Sequence, residues 1–438
     1  MNSINSGQLY PVLKKILNEL NPRVVEHGEH VAYLELMMAR GRDLPDDRKL
    51  ENLMLACFAH DIGAYKTDKF MSPLRFDARN TLGHCIYGYL FMKYFSPLKE
   101  DSEVILYHHA FYSEKAEDSS PYYDDGVLIH MLERIDVLNS IYPDEQMIID
   151  KLAESRGDAF NPDDVDDFIR FNESRHILQK LNSGEYRDEV RAYFNGFYRS
   201  VRLIEPIVDM LAYEIDFKSE QTVIHTITTS LICRCLGQCM SLPQQDIDEL
   251  FLAAKLHDLG KIKIPTEVLE KPARLTDDEY EIIKTHTGHT LEIIEDLFPE
   301  SVVDIATHHH ERLDGRGYPN GLTESELSTK DRILQVADVA SALIYKRSYK
   351  SALSKEKVID ILQEEKANRK LDSDVVDVFT EHYDEILEYA TDNSAEIISR
   401  YENLQNEYRE YLSRYSELNH ELDMAVPFTL GGSNAIPG

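Results

Sequence analysis

The chain has 438 residues, enough for two or three domains, of which 42% are hydrophobic and 29% are charged. Its 47 basic and 79 acidic residues give a net charge of −32 at pH 7, which argues against a nucleic-acid polymer or an anionic membrane surface as the main partner. Residues 1–20 lack the apolar core of a signal peptide, and no run reaches the length of a membrane span, so we expect a soluble, cytoplasmic protein.

Helical periodicity dominates the chain. Apolar residues recur every three to four positions, as segments 249–256 and 358–365 show, whereas the alternating pattern of β-strands is scarce. We therefore predict an all-α protein.

An ordered series of histidines and aspartates occupies the first half of the chain. A single histidine is followed by a His-Asp pair, another histidine, two adjacent histidines and an aspartate. These residues are His27, His60, Asp61, His84, His108, His109 and Asp136. His30 is an alternative to His27 at the first position.

The same series recurs in the second half, displaced by 197 to 202 residues. Its members are His225, His257, Asp258, His286, His309, His310 and Asp338. An ordered set that recurs at a nearly constant offset predicts two copies of one helical domain. We place the first copy at residues 1–205 and the second copy at 206–390.

The five cysteines do not form the pattern of a disulfide framework. They are Cys57, Cys85, Cys233, Cys235 and Cys239. The last three are closely spaced, which could indicate metal or redox chemistry. Because their segment is apolar, we favour buried helical thiols.

A stripe of tyrosines and leucines follows the second copy at spacings of three and four, on a predicted helix over 391–424. Its members are Tyr401, Leu404, Tyr408, Tyr411, Tyr415, Leu418 and Leu422. The stripe predicts either a helix lying on its own domain or a homodimeric coiled coil through 401–422. Residues 425–438 have the composition of a flexible tail.

The repeated histidine and aspartate sets predict metal binding, because imidazole and carboxylate are the usual ligands of catalytic first-row metals. A two-metal site suits hydrolysis of a phosphodiester, because the metals produce hydroxide at neutral pH and take up charge on the phosphoryl oxygens. Lys261 follows Asp258 by three residues and could place a cation at that phosphate, although it could equally be a solvated surface lysine.

Four segments in this order resemble the HD-GYP family: HDLGKIKIP (257–265), KTH (284–286), HHERLDGRGYP (309–319) and VAD (336–338). The resemblance covers about residues 217–380. It implies an all-helical bacterial phosphodiesterase of the HD superfamily that hydrolyses cyclic dinucleotides, mainly cyclic di-GMP, with iron or manganese at its site.

The resemblance also implies roles for individual residues. Asp258 would bridge two divalent metal ions and act in catalysis together with Lys261, which would contact the phosphate. The metal ligands implied are His225, His257, Asp258, His286, His309, His310 and Asp338. The substrate-binding residues implied are Lys261, Gly317, Tyr318, Pro319, Arg347 and Lys350.

Three positions depart from the family pattern. Gln221 replaces a glutamate found in members with three metals, so we expect two metals. Ser341 replaces an aspartate and Thr290 replaces a glycine, which leaves the choice between cyclic di-GMP and the cyclic GMP–AMP hybrid open.

The first copy resembles a plain HD domain that retains the ligand set and could hold further metals. Ala64 stands where the second copy has Lys261, and residues 108–123 replace the GYP loop. We expect a regulatory or structural role, with hydrolysis of a linear dinucleotide or a nucleotide as the alternative. For the second copy, the alternatives to hydrolysis of a cyclic dinucleotide are a non-catalytic receptor and a nucleotide phosphohydrolase.

Overall fold

The computed structural model describes residues 14–15, 22–45, 48–64, 82–96, 98–197, 220–269, 271, 273–344 and 353–425. Within these ranges the chain is helical and contains no β-strand, only two isolated bridges, Arg156–Phe160 and Asp314–Thr323. The all-α prediction is confirmed.

The described ranges contain eighteen α-helices, numbered here in chain order. They are α1 (Pro22–Gly41), α2 (Arg48–Ala59), α3 (Leu82–Phe95), α4 (Tyr123–Ile141), α5 (Glu145–Glu154), α6 (Pro162–Arg175), α7 (Ile177–Ser183), α8 (Tyr186–Phe197), α9 (Glu220–Cys239), α10 (Gln244–Leu256), α11 (Thr266–Leu269), α12 (Asp277–Lys284), α13 (His286–Ile294), α14 (Glu300–Thr307), α15 (Thr329–Ile344), α16 (Lys355–Ala367), α17 (Ser373–Glu381) and α18 (Tyr383–Ala425). In the same ranges, three 3-10 helices span Lys99–Tyr107, Tyr112–Glu114 and Leu259–Lys263.

One central helix organises each copy. In the first copy α1 packs against α2, α4, α6 and α8, and residues 31–39 are buried on every side. This stretch, VAYLELMMA, is apolar except for Glu35, as expected of a helix enclosed by others. In the second copy α9 has the central position and packs against α10, α15 and α18.

The two copies repeat a close approach of backbones at the His-Asp turn. A Cβ atom on Gly63 would lie 2.1 Å from the carbonyl oxygen of His84, and one on Gly260 would lie 2.0 Å from that of His286. Only glycine permits this contact. Each turn is thereby held against the helix that carries the next histidine of the series.

The C-terminal helix α18 begins at Tyr383, eight residues before the predicted start, and contacts both copies. It packs on α9 and then on α3, where the Tyr408 ring lies 5.5 Å from that of Tyr87 and the Tyr411 ring 6.2 Å from that of Tyr89. It therefore lies on its own domain, as one of the two sequence alternatives stated, and extends beyond it onto the first copy.

Three other predictions concern the end of the chain, a homodimer and the cysteines of α9. The side chains of Tyr415, Leu418 and Leu422 and all of residues 426–438 lie outside the described part, and a homodimer stays a prediction. Cys233 and Cys235 are buried in α9, as predicted, and Cys239 is partly buried.

Two candidate metal centres

The second copy brings its whole predicted ligand set into one cluster, named here the second cluster. Five separate elements supply it: α9, the turn after α10, the start of α13, the segment after α14, and α15. Its members are His225, His257, Asp258, His286, His309, His310 and Asp338.

The carboxylate of Asp258 lies at the centre of this cluster. Its oxygens are 3.3 Å from Nε2 of His257, 3.5 Å from Nε2 of His286 and 3.8 Å from Nε2 of His225. Asp338 lies 3.0 Å from Nε2 of His225. A carboxylate surrounded in this way could bridge two cations, which is the role that the family resemblance implies for Asp258.

Backbone carbonyls orient three of these imidazoles. Since a carbonyl oxygen can only accept, each Nδ1 must carry the proton and each Nε2 presents its lone pair to the cluster. The pairs are His257 with Ala254 (2.7 Å), His286 with Ile283 (2.6 Å) and His309 with Ala306 (2.7 Å).

Two buried atoms of the second cluster have no hydrogen-bond partner among the described residues: Nε2 of His257 and Oδ1 of Asp258. A buried polar atom left unsatisfied costs about 1–3 kcal/mol. A bound cation would satisfy both atoms, so the donor set fits a metal centre.

The protonation states also suit a cation. Burial lowers the pKa of His225, His309 and His310, and it lowers the pKa of His286 to about 3. Burial would raise the pKa of Asp258, but the surrounding imidazoles and Lys261 outweigh it and hold that pKa well below its ordinary range. Neutral imidazole and ionised carboxylate are the forms that bind metals.

Lys261 lies on the 3-10 helix that follows the His-Asp turn, and its Nζ is 2.5 Å from Oδ2 of Asp258. The side chain is 20% exposed. Lys261 is therefore a partly buried cation at the edge of the second cluster rather than a solvated surface lysine.

The GYP loop, residues 317–319, lies against the second cluster. The backbone N–H of Tyr318 donates to the carbonyl of His310 at 3.1 Å, and the two rings are 4.8 Å apart. A Cβ atom on Gly317 would lie 2.4 Å from Cα of Glu311, so this position requires glycine. Pro319 follows Tyr318 through a cis peptide bond.

A buried carboxylate, Glu311, holds the segment that follows this loop. It accepts backbone hydrogen bonds from Asn320 (2.6 Å), Gly321 (3.1 Å) and Leu322 (2.9 Å). The sequence analysis assigned no role to Glu311. The one available signal for this role was its position directly after the histidine pair. A glutamate in a polar loop otherwise gives no indication that it is buried.

Two of the three departures from the family pattern, Ser341 and Thr290, lie in the described part of the chain. Both contact residues that supply or hold the ligands of the second cluster. The Ser341 hydroxyl lies 3.0 Å from Nδ1 of His225, and the Thr290 hydroxyl accepts from Gly260 N–H at 2.9 Å and donates to the carbonyl of His257 at 3.0 Å. We therefore interpret both residues as supporting the ligands of the second cluster. Arg347, Lys350 and the side chain of Gln221 lie outside the described part.

The first copy forms a corresponding group, named here the first cluster. Asp61 lies 3.5 Å from Nε2 of His84 and 3.8 Å from Nε2 of both His60 and His108. The described part of the chain offers no hydrogen-bond partner to the buried Nε2 of His60. The cluster consists of His27, His60, Asp61, His84, His108, His109 and Asp136.

The geometry distinguishes His27 from His30, the two candidates for the first position. Both Nδ1 atoms lie 2.6 Å from an oxygen of Asp136. The His27 ring lies 5.1 Å from that of His60, whereas the His30 ring packs 4.6 Å from that of Tyr186 on α8. His27 therefore faces the cluster, and His30 supports Asp136.

Two residues beside the first cluster were missed. Glu133 lies 3.3 Å from Nδ1 of His109, and Cys85 Sγ lies 3.7 Å from Nε2 of His84. Glu133 precedes Asp136 by three residues on α4 and so shares its helix face, and Cys85 directly follows His84. Their positions next to predicted ligands were the signals that could have identified them.

Comparison with known proteins supports the interpretation of both clusters as parts of HD domains. A family model described as HD domain matches residues 207–375. A 3'3'-cGAMP-specific phosphodiesterase of Vibrio cholerae is 27% identical over 400 residues, covering 86% of this chain and 91% of the relative. A cyclic di-GMP phosphodiesterase of Pseudomonas aeruginosa is 37% identical over 133 residues, covering 30% of this chain and 32% of the relative.

Among solved structures, that of a cyclic GMP-AMP specific phosphodiesterase of V. cholerae superposes with a TM-score of 0.52 at 17% identity, covering 87% of this chain and 98% of that one. The fold is thus that of the HD-domain proteins. Residues 207–375 thus match an HD domain, and with the signature at 309–319 the chain is homologous to cyclic-dinucleotide phosphodiesterases. None of the helices in the described ranges is long and apolar enough to cross a lipid bilayer.

Proposed function

We propose that the second copy hydrolyses a phosphodiester bond of a cyclic dinucleotide, either cyclic di-GMP or the cyclic GMP–AMP hybrid. The observation that carries the proposal is the convergence of imidazole Nε2 atoms on the buried carboxylate of Asp258, with Lys261 beside it. This arrangement can hold two cations and still offer a positive side chain to a phosphate.

The seven residues of the second cluster would hold two divalent ions, and iron and manganese suit a donor set of imidazoles and carboxylates. When bound, such ions lower the pKa of a water molecule and neutralise charge on the phosphoryl oxygens.

The residues of the chain perform the remaining work. The fixed imidazoles hold their lone pairs on the cluster before any ion arrives, so little reorganisation is needed on binding. Lys261 can move from Asp258 to a non-bridging phosphate oxygen, where its charge is most effective as negative charge develops. Tyr318 offers a ring face at the edge of the second cluster, against which a base or ribose could pack.

The names of the relatives support both substrates. The Vibrio relative that aligns over 91% of its own length is named as specific for 3'3'-cGAMP. The Pseudomonas relative, named for cyclic di-GMP, aligns over about a third of its length. Direct comparison of the two substrates is therefore required.

For the first copy we propose a regulatory role. Its ligand set is complete, but it has Ala64 in place of the lysine and no GYP loop. The helix α18 contacts α3, which carries His84, and α9, which carries His225. A change in the first cluster could therefore reach the second through one helix.

The test is to incubate the full-length metal-loaded protein with each cyclic dinucleotide and to follow products by chromatography. The double variant His257→Ala, Asp258→Ala should lose all hydrolysis and the metal of the second cluster. The matched variant His60→Ala, Asp61→Ala should keep hydrolysis at a measurable rate. Activity that survives only in the first variant would assign the chemistry to the first copy, and tight binding without product would indicate a receptor.

A further inference from the structure

We propose that Cys85 is a metal ligand of the first cluster, and that the first copy therefore binds a thiophilic divalent ion of the zinc class through three imidazoles and one thiolate. The second copy, whose cluster offers nitrogen and oxygen donors, would then prefer a different metal. The proposal concerns which ion the first copy holds, and it does not depend on what the second copy hydrolyses.

Four donor atoms converge at this point. The side-chain donors of His84, Cys85, His108 and His109 all lie within 4.8 Å of one another. Cys85 and His108 are buried, and His84 and His109 are only slightly exposed.

Four of their six separations match those of ligands on one tetrahedral ion. Nε2 of His84 lies 3.1 Å from Nε2 of His108 and 3.2 Å from Nε2 of His109. Cys85 Sγ lies 3.7 Å from His84 Nε2 and 3.8 Å from His108 Nε2. Zinc bonds of about 2.0–2.1 Å to nitrogen and about 2.3 Å to sulfur place such atoms about 3.3 Å and about 3.6 Å apart.

The surroundings orient these donors toward each other. Nδ1 of His108 donates to the carbonyl of Ile105 at 2.6 Å, which leaves its Nε2 as an acceptor. Glu133 places a carboxylate oxygen 3.3 Å from Nδ1 of His109, on the side of that ring away from His84 Nε2. The neighbouring Nε2 of His60 is buried and has no partner among the described residues, an independent sign that a cation belongs here.

The second copy differs at the matching position. His286 corresponds to His84, and the residue after it is Thr287, whose hydroxyl donates to the carbonyl of Lys284 in the preceding turn at 3.1 Å. A hydroxyl engaged with backbone offers no soft donor. The thiol is therefore specific to the first cluster, and it is not part of the histidine and aspartate set that both copies share.

Binding would exchange one bond for another at sulfur. The S–H bond of Cys85 breaks, its proton passes to solvent, and a sulfur–metal bond forms with no change of oxidation state. Thiolate ligands select zinc-class ions over manganese, whose preferred donors are carboxylate, carbonyl and water oxygens.

The test uses the full-length protein in the His257→Ala, Asp258→Ala background, so that the second cluster does not contribute. The metal-free protein is titrated with cobalt(II), and thiolate-to-cobalt charge transfer is followed in the near ultraviolet. We expect the band in this background, its loss on adding Cys85→Thr, and its retention on adding Cys239→Ser. Cys239 is the matched control because it lies beside another potential ligand group, His382 and Glu385.

Two further measurements test the sulfur ligand independently of the cobalt band. X-ray absorption of the zinc-loaded background protein, which carries no change at Cys85, should show one sulfur neighbour at about 2.3 Å. In a competition assay, Cys85→Thr should lower the affinity for zinc relative to manganese by about tenfold or more. A zinc spectrum without sulfur, or a cobalt band insensitive to Cys85→Thr, would overturn the proposal.

Discussion

The hydroxyl of Ser341 on α15 lies 3.0 Å from Nδ1 of His225 on α9, across 116 residues of sequence. The same hydroxyl donates its only proton to the carbonyl of His225 at 3.3 Å. The oxygen must therefore accept from Nδ1, so that Nε2 of His225 presents a lone pair to the interior of the second cluster. A position that departs from the family pattern thus still fixes the tautomer of a ligand.

Replacing Ser341 by alanine should weaken metal binding at the second cluster by about tenfold or more, because the His225 ring loses its orienting partner. Metal affinity measured by competition with a chelator would test this. Ser230→Ala is the matched control, since Ser230 is likewise buried but lies on α9 and donates to the carbonyl of Ile227 at 2.8 Å. Equal affinities of the two variants would contradict this role for Ser341.

Replacing Lys261 by alanine should lower turnover by about 10²-fold while leaving the metal content unchanged, because one cation is lost where negative charge develops. Lys263→Ala is the control on the same 3-10 helix, since Lys263 pairs with the exposed Glu292 instead. Steady-state kinetics and metal analysis of both variants would test this. Unaltered turnover in Lys261→Ala would remove Lys261 from the catalytic group.

Replacing Thr290 by valine should destabilise the second copy by about 1–3 kcal/mol, because a buried N–H of Gly260 and a buried carbonyl of His257 lose their partner. Denaturant unfolding measures this loss. Thr228→Val is the control, since its hydroxyl bonds only to the carbonyl of Ile224 in its own helix. A loss no larger than that of the control would show that the hydroxyl does not stabilise the His-Asp turn.

The buried carboxyl of Glu35 on α1 should make stability depend on pH. Burial raises its pKa from 4.5 to about 8, with further effects from Asp125, Arg42, Asp164 and Lys49. Between these pH values the folded state keeps a proton that the unfolded state has released, so stability falls as pH rises from about 4.5 through 8.

Glu35→Gln should flatten this dependence and be relatively more stable above pH 8. Melting temperatures measured from pH 5 to 9 would show it. Glu26→Gln, a change at an exposed position of the same helix, should leave the slope unchanged. A slope retained in Glu35→Gln would mean that another group is responsible.

The histidines and aspartates of both clusters could be predicted because metal chemistry restricts which residue types can occupy each position. An imidazole or carboxylate at a repeated spacing carries that restriction into the sequence, and the structure brings together every such residue in its described part. The all-α fold could be predicted for a similar reason, since burial of one helix face imposes a period on apolar residues.

Residues that act by supporting others could not be predicted from the sequence. Glu311, Thr290 and Glu133 are ordinary polar residues whose roles depend on which backbone or side chain lies opposite them in three dimensions. The stripe on α18 indicated a buried face but not its partner. A periodic apolar pattern indicates that one face of a helix is buried, but it does not indicate which element buries that face.

The contact of α18 with both copies has a thermodynamic consequence. Glu407 on this helix accepts hydrogen bonds from Lys93 at 2.8 Å and from Tyr94 at 2.5 Å, beside the paired rings of Tyr87 and Tyr408. Melting either copy alone would strip these groups of their partners and expose the aromatic face on the copy that remains. Part of the stability of each copy therefore comes from contacts with the other copy through α18.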